Sequence, residues 1–115
     1  MSRELIALLA EAPQIRQVLT GTPDLQNKAL SISGDIAPVH LHDATGRLLV
    51  RLAEPRRVDA PGEAERLLGI PAPRPHWWVE VRSAAGMPQA ELLAWICADA
   101  LVARHGGRVW SPAAP

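Results

Sequence analysis

The 115-residue sequence contains no Phe or Tyr, a single Cys, and equal numbers of basic and acidic residues, twelve of each. A lone Cys excludes an internal disulfide, which is typical of a reducing cytoplasm. The balanced charge, without a run of one sign, lacks the basic patch of nucleic-acid binding proteins. No apolar run reaches the eighteen residues of a membrane helix, and no secretory leader is recognisable. We therefore expect a cytoplasmic protein that binds neither nucleic acid nor membranes.

The sequence also lacks the short signatures that accompany catalysis and cofactor binding. It has no nucleophile elbow, no phosphate-binding glycine loop and no closely paired carboxylates. Cys97 falls in the middle of an apolar helical pattern, without the helix N-terminus or adjacent base that would activate a thiol. These absences favour a protein with no cofactor and no enzymatic activity.

The composition, 48% hydrophobic and 21% charged, is that of a globular chain, and 115 residues fit one domain with one core. Residues 54–75 contain five Pro and predict a Pro-rich connection with a short helix inside it. Residues 111–115 predict a disordered tail. We expect the whole chain, 1–115, to form a single domain.

The stretch 76–110 predicts a strand, a helix and a strand that supply most of the core. Apolar and polar residues alternate along 76–82, which indicates a half-buried strand. The helix opens at Pro88 and ends before Gly106. Its pattern predicts that Glu91 is exposed and that three aliphatic residues are buried, namely Leu93, Ile96 and Leu101. His105 falls on the opposite, polar arc.

Two further patterns complete the predicted fold. Ser2 is an N-cap residue, and the apolar residues that follow it predict a first helix over residues 2–9, continued after Pro13 to Gly21. Alternation over 29–53 predicts a three-stranded meander. The chain is therefore predicted to be α+β, with one antiparallel or mixed sheet of four to five strands, helices mainly on one face, and the order α-β-β-β-α-β-α-β.

Two surfaces are candidates for binding a protein partner. A sheet face with one Trp ringed by Arg and His has the composition of a binding hot spot; its members are His40, His42, Leu49, Arg51, Trp78, Glu80 and Arg82. The competing interpretation is that a second layer, such as the first helix, covers this face and makes Trp78 part of the core. The second surface is a helix stripe, where Trp95 and Val102 lie two turns apart on the nominally polar side.

A metal site is the alternative interpretation. His40 and His42 form an H-x-H pair on one strand face, and His76 could share that face from a neighbouring strand. Histidines with a carboxylate such as Glu80 are typical ligands of zinc or iron. Solvated or hydrogen-bonded strand histidines explain the same spacing without a metal.

The run Trp77–Arg82, the following helix and the run His105–Pro112 resemble parts of small uncharacterised α+β domains of high-GC bacteria. Some of those domains look like immunity or accessory proteins of contact-dependent and type VII toxin systems. The resemblance covers the last third of the chain and implies partner binding without catalysis. Two functions follow: a non-enzymatic protein-binding module, immunity-like or an adaptor, that associates with a protein or with itself, or a small metal-binding protein or metalloenzyme.

Overall fold

The structure, a computed structural model, describes residues 3–26, 29–34, 38–58, 66, 69 and 76–111, and of Arg3 and His76 the backbone alone. Within these residues the chain forms seven strands and three helices. The strands are β1 (Arg3–Leu9), β2 (Ser31–Ser33), β3 (Val39–His42), β4 (Leu48–Leu52), β5 (Arg56–Val58), β6 (His76–Ser83) and β7 (Gly107–Trp110). The helices are α1 (Ile15–Thr20), α2 (Pro23–Gln26) and α3 (Pro88–His105).

All seven strands belong to one antiparallel sheet in the order β2-β3-β4-β6-β1-β7, with β5 also paired to β6. The predicted α+β class and the antiparallel sheet are thus confirmed. The predicted four to five strands are too few, and the predicted element order differs. Both differences arise at β1 and β5, where the sequence pattern indicates a helix and a loop. The predicted short helix and tail concern residues that lie mostly outside the described ranges.

The strand β1 replaces the predicted first helix. Residues Leu5 to Leu9 are at most 3% exposed, and they contribute to the cores on both faces of the sheet. β6 pairs with one side of β1 and β7 with the other, so β1 is an interior strand. A strand buried on both faces appears in sequence as a continuous apolar run, and a run this short fits a helical stripe equally well.

β4 and β5 lie on the same side of β6, along different halves of it. Leu52 pairs with Val81, and Arg56 pairs with Trp78. Between them the Ala53 N–H donates to the Glu80 carbonyl O at 2.9 Å. The two strands therefore behave as one long strand interrupted at residues 53–55, and the predicted connection over 54–75 begins with a strand instead of a loop.

The three helices pack on one face of the sheet, as the predicted architecture requires. Their apolar side chains form one core with alternate residues of the strands, including Val50, Val79 and Val81. The opposite face carries a smaller cluster of Ile6, Leu8 and Trp78. The sheet is thus apolar on both sides near its centre, in β1 and β6.

α3 begins at Pro88, as predicted, and ends where Gly106 takes a φ of 77° and donates its N–H to the Val102 carbonyl O at 2.8 Å. Leu93 and Leu101 are fully buried, which confirms their prediction. Ile96 and Glu91 are each half-buried, so the helix is rotated slightly from the predicted orientation. Among the described residues, no helix is long and apolar enough to cross a membrane.

Candidate interaction surfaces

α3 presents an apolar face to solvent, on the side away from the sheet. Leu92 is 59% exposed and Trp95 39% exposed, and they are joined there by the half-buried Ile96 and Val102. We call these four residues the outer stripe. From residue 92 to residue 103, Asp99 is the one charged residue. A surface helix normally places polar residues on this side, and contiguous exposed apolar area is a mark of interaction sites.

The two flanks of α3 face different parts of the molecule. Ala100 and Arg104 line a groove against α1. α1 lies towards β2, since the Arg16 guanidinium donates to the Ile32 carbonyl O at 3.2 Å. At 3.6 residues per turn, Val102 lies about 160° around the helix axis from both groove residues. Val102 therefore faces the β7 end of the sheet.

Trp78 is buried on the sheet face opposite the helices. It is 7% exposed and packs against Ile6 and Leu8. The Arg56 guanidinium carbon lies 5.5 Å from the centre of its ring, within the range of a cation–π contact. Its buried Nε1 has no hydrogen-bond partner in the described part of the chain. Trp78 is therefore a core residue. The segment predicted to cover it as a helix is instead the strand β1, which lies beside it in the sheet.

Four charged or titratable side chains form a row across the middle of this sheet face. In the strand register His40 lies opposite Arg51, Arg51 opposite Arg82, and Arg82 opposite Glu4. Arg82 Nη2 is 3.1 Å from Glu4 Oε2, in an ion pair of partly exposed side chains. Such pairs contribute about 0–1 kcal/mol. The row is a solvated polar strip.

One residue of the predicted hot spot is placed on the other face of the sheet. Leu49 is 1% exposed and belongs to the helix-side core, because the ladder between β3 and β4 shifts register near His42. Glu80 lies on the same face as Trp78 and is half-buried opposite Ile6. The sheet thus brings His40, Arg51, Trp78, Glu80 and Arg82 to one face, but Trp78 is buried there instead of forming an exposed aromatic centre, and the outer stripe lies on the other side of the sheet.

The three histidines of the metal alternative are not brought together. His40 and His42 are neighbours, with ring centroids 6.2 Å apart. His76 is opposite Val58 at the far end of β6, six residues from Arg82 in the row that contains His40. At about 3.3 Å per strand residue this separates the backbones by roughly 20 Å. Among the described residues no group of three His, Cys, Asp or Glu could hold a metal ion.

His105 is a buried polar residue where the helical pattern predicts an exposed one. Its Nε2 accepts the Gln14 backbone N–H at 3.2 Å, and its Nδ1 lies 3.5 Å from Glu11 Oε1. The imidazole thereby joins the end of α3 to the residue that precedes α1. Both ring nitrogens have partners within the chain, so the role of His105 is to stabilise the fold. No local sequence signal distinguishes this partner, 91 residues away.

Cys97 is fully buried in α3, and its burial raises the pKa of its thiol to about 12. A thiol with so high a pKa is almost never the thiolate that acts as a nucleophile. The interpretation of Cys97 as a small core residue agrees with this environment.

Comparison of the chain with family models, with curated proteins and with solved structures returns no match. The resemblance to bacterial immunity-like domains therefore stays a prediction from the sequence.

Proposed function

We propose that this protein is a non-enzymatic protein-binding module, immunity-like or an adaptor, which docks on or masks a protein partner through the outer stripe of α3. The exposed Leu92 side chain carries this proposal. A leucine that is 59% exposed, next to a Trp that is 39% exposed, leaves apolar area in water that a bound partner would cover.

A neighbouring charge supports a protein partner in particular. Asp99 is exposed among the four stripe residues. A protein–protein interface usually combines apolar contacts with polar groups of this kind. The separation of His40 from His76 leaves the metal alternative without an assembled site, so we do not propose it.

Replacing Leu92 with Glu tests the proposal, because the change places a charge on the most exposed residue of the stripe. Partners captured from the source cells are first identified and purified, and their affinity is then measured by calorimetry. Burying one aliphatic anchor contributes roughly 1.5–3 kcal/mol, so the dissociation constant should rise about ten- to a hundredfold.

Gln89→Glu is the matched control, since it adds the same charge at an exposed polar position of the same helix. Both variants should unfold at nearly the wild-type denaturant concentration. A partner that binds Leu92→Glu and wild type equally well would contradict the proposed site, and a stable wild type without any saturable protein partner would contradict the function.

A further inference from the structure

Among the described residues, no strand pairs with the outer edge of β7. The Ala10 N–H donates to the Gly106 carbonyl O at 2.8 Å, which fixes the hydrogen-bonding phase of the β1–β7 ladder. Along an antiparallel ladder, residues that bond to the neighbouring strand alternate with residues whose backbone groups point away from it. Counting on from Gly106, Arg108 and Trp110 therefore bond to β1. The N–H and C=O groups of Gly107 and Val109 then point away from the sheet. In the described part of the chain, nothing donates to or accepts from them.

The opposite edge of the sheet, β2, is capped by a side chain. The same alternation turns the backbone groups of Ile32 and Gly34 outward. Arg16 of α1 reaches over this edge, and its Nη1 donates to the carbonyl O of Ile32 at 3.2 Å and of Gly34 at 3.0 Å. A long cation placed along an edge in this way hinders the pairing of another strand.

We propose that a second copy of this chain pairs its own β7 with β7, antiparallel and about a two-fold axis at Val109, so that the two sheets become one. This inference goes beyond the proposed partner at Leu92 and does not depend on it, although both surfaces include Trp95 and Val102. The outward-pointing residues 107, 109 and 111 are spaced symmetrically about Val109. In this register Val109 bonds to its own counterpart, and Gly107 bonds to Ser111 of the other copy.

The side chains of β7 are complementary to themselves in this register. Arg108 and Trp110 lie on the face opposite the helices, since they pair with Leu8 and Ile6 of the smaller cluster. Two-fold pairing about Val109 puts Arg108 of each copy directly opposite Trp110 of the other, with Cβ atoms about 5 Å apart. A guanidinium beside an indole at that distance forms a cation–π contact, and the two-fold axis produces it twice.

The helix layer fits the same arrangement. Val109 is half-buried against the helix-side core, and Val102 faces the β7 side of α3. α3 packs over β1 and its neighbours, and β1 of each copy would lie three strand spacings apart, roughly 14 Å. Helices usually pack at 8–10 Å, so the half-buried Val102 and the partly exposed Trp95 would occupy the remaining space between the two α3 helices.

Two properties select a second copy over an unrelated strand. The formal net charge of the chain is zero, so two copies meet without long-range repulsion. An interface of one edge with itself is isologous and closes at two subunits. The outermost strand at each end of the joined sheet is then β2, and Arg16 caps each of these two edges against further pairing.

The test compares Val109→Pro with Ile32→Pro by light scattering over a range of concentrations. Each replaces a half-buried apolar edge residue whose N–H points outward, the position where a sheet tolerates Pro. Wild type and Ile32→Pro should have twice the 12.4 kDa chain mass at high concentration. Val109→Pro should have the mass of one chain.

If Val109→Pro fails to fold, Arg108→Glu tests the dimer instead. The Arg108 side chain is exposed and only its backbone pairs with β1, so this variant should fold. It should raise the dimer dissociation constant roughly tenfold or more, whereas Arg104→Glu on the α1 side of α3 should not. A monomeric wild type at all concentrations would overturn the inference. So would a dimer that Arg108→Glu leaves intact, or one that is broken by Leu92→Glu instead, which would centre self-association on Leu92 and not on β7.

Discussion

The outermost strands of the sheet, β2 and β7, differ in whether their outward backbone groups have partners. At β2 a short strand of Ser31, Ile32 and Ser33 has its outward carbonyls occupied by Arg16. At β7 the outward backbone groups of Gly107 and Val109 meet no partner among the described residues, and the half-buried side chains of Val109 and Trp110 lie along this edge. An unprotected edge is a template for another strand. In the proposed dimer, β2 ends the sheet and β7 extends it.

The open edge depends on the glycine that begins it. A Cβ added to Gly107 would lie 1.8 Å from the Leu8 carbonyl O, and its φ of +133° is itself unfavourable for other residues. Gly107→Ala should therefore detach β7 from β1 and cost about 3 kcal/mol or more in the free energy of unfolding. Chemical denaturation measures the loss, and light scattering should show that the dimer is lost with it.

Gly46→Ala is the matched control for this change. Gly46 also has a positive φ, +86°, but an added Cβ would meet nothing within 4 Å. It should cost about 1–2 kcal/mol from the backbone conformation alone and leave association unchanged. If Gly107→Ala and Gly46→Ala lowered the free energy of unfolding equally, the close contact between Gly107 and Leu8 would not be what holds β7 against β1.

Removing the cap should make the two edges more alike. Arg16→Ala takes away the donor to Ile32 and Gly34, which should cost about 1–2 kcal/mol because one hydrogen bond is partly buried and the other is exposed. With β2 also open, dimers should associate further, and light scattering should record masses above two chains. Arg104→Ala removes an exposed Arg without opening an edge and should do neither. An Arg16→Ala protein that stays dimeric and keeps the wild-type free energy of unfolding would show that Arg16 does not cap β2.

Local patterns in the sequence predict some of these elements well. Alternation marks β3, β4 and β6, and Pro88 with Gly106 bounds α3, because these signals depend on neighbouring residues. The exposure of Trp95 follows from the helical period for the same reason. The apolar run in β1 is ambiguous, since a strand buried on both faces has no alternation to show. β5, with the sequence Arg56-Arg57-Val58, is too short for a pattern.

The candidate sites depend on strand order, which no local pattern contains. His76 and His40 share a sheet, yet the ladders place them at opposite ends of it. The sequence makes Trp78 a candidate surface residue until β1 and β5 are known to flank β6. The edges are hidden for the same reason: nothing near Val109 or Ile32 in the sequence identifies either as the last strand of a sheet. Only long-range pairing makes them edges.

Amide hydrogen exchange at Val109 and Ile32 tests the contrast between the edges most directly. Both N–H groups point outward from the ends of the sheet, so in a monomer both should exchange fast. The account predicts that Val109 is protected at high protein concentration and loses that protection on dilution, while Ile32 exchanges rapidly throughout. Equally fast exchange at both residues at every concentration would contradict it.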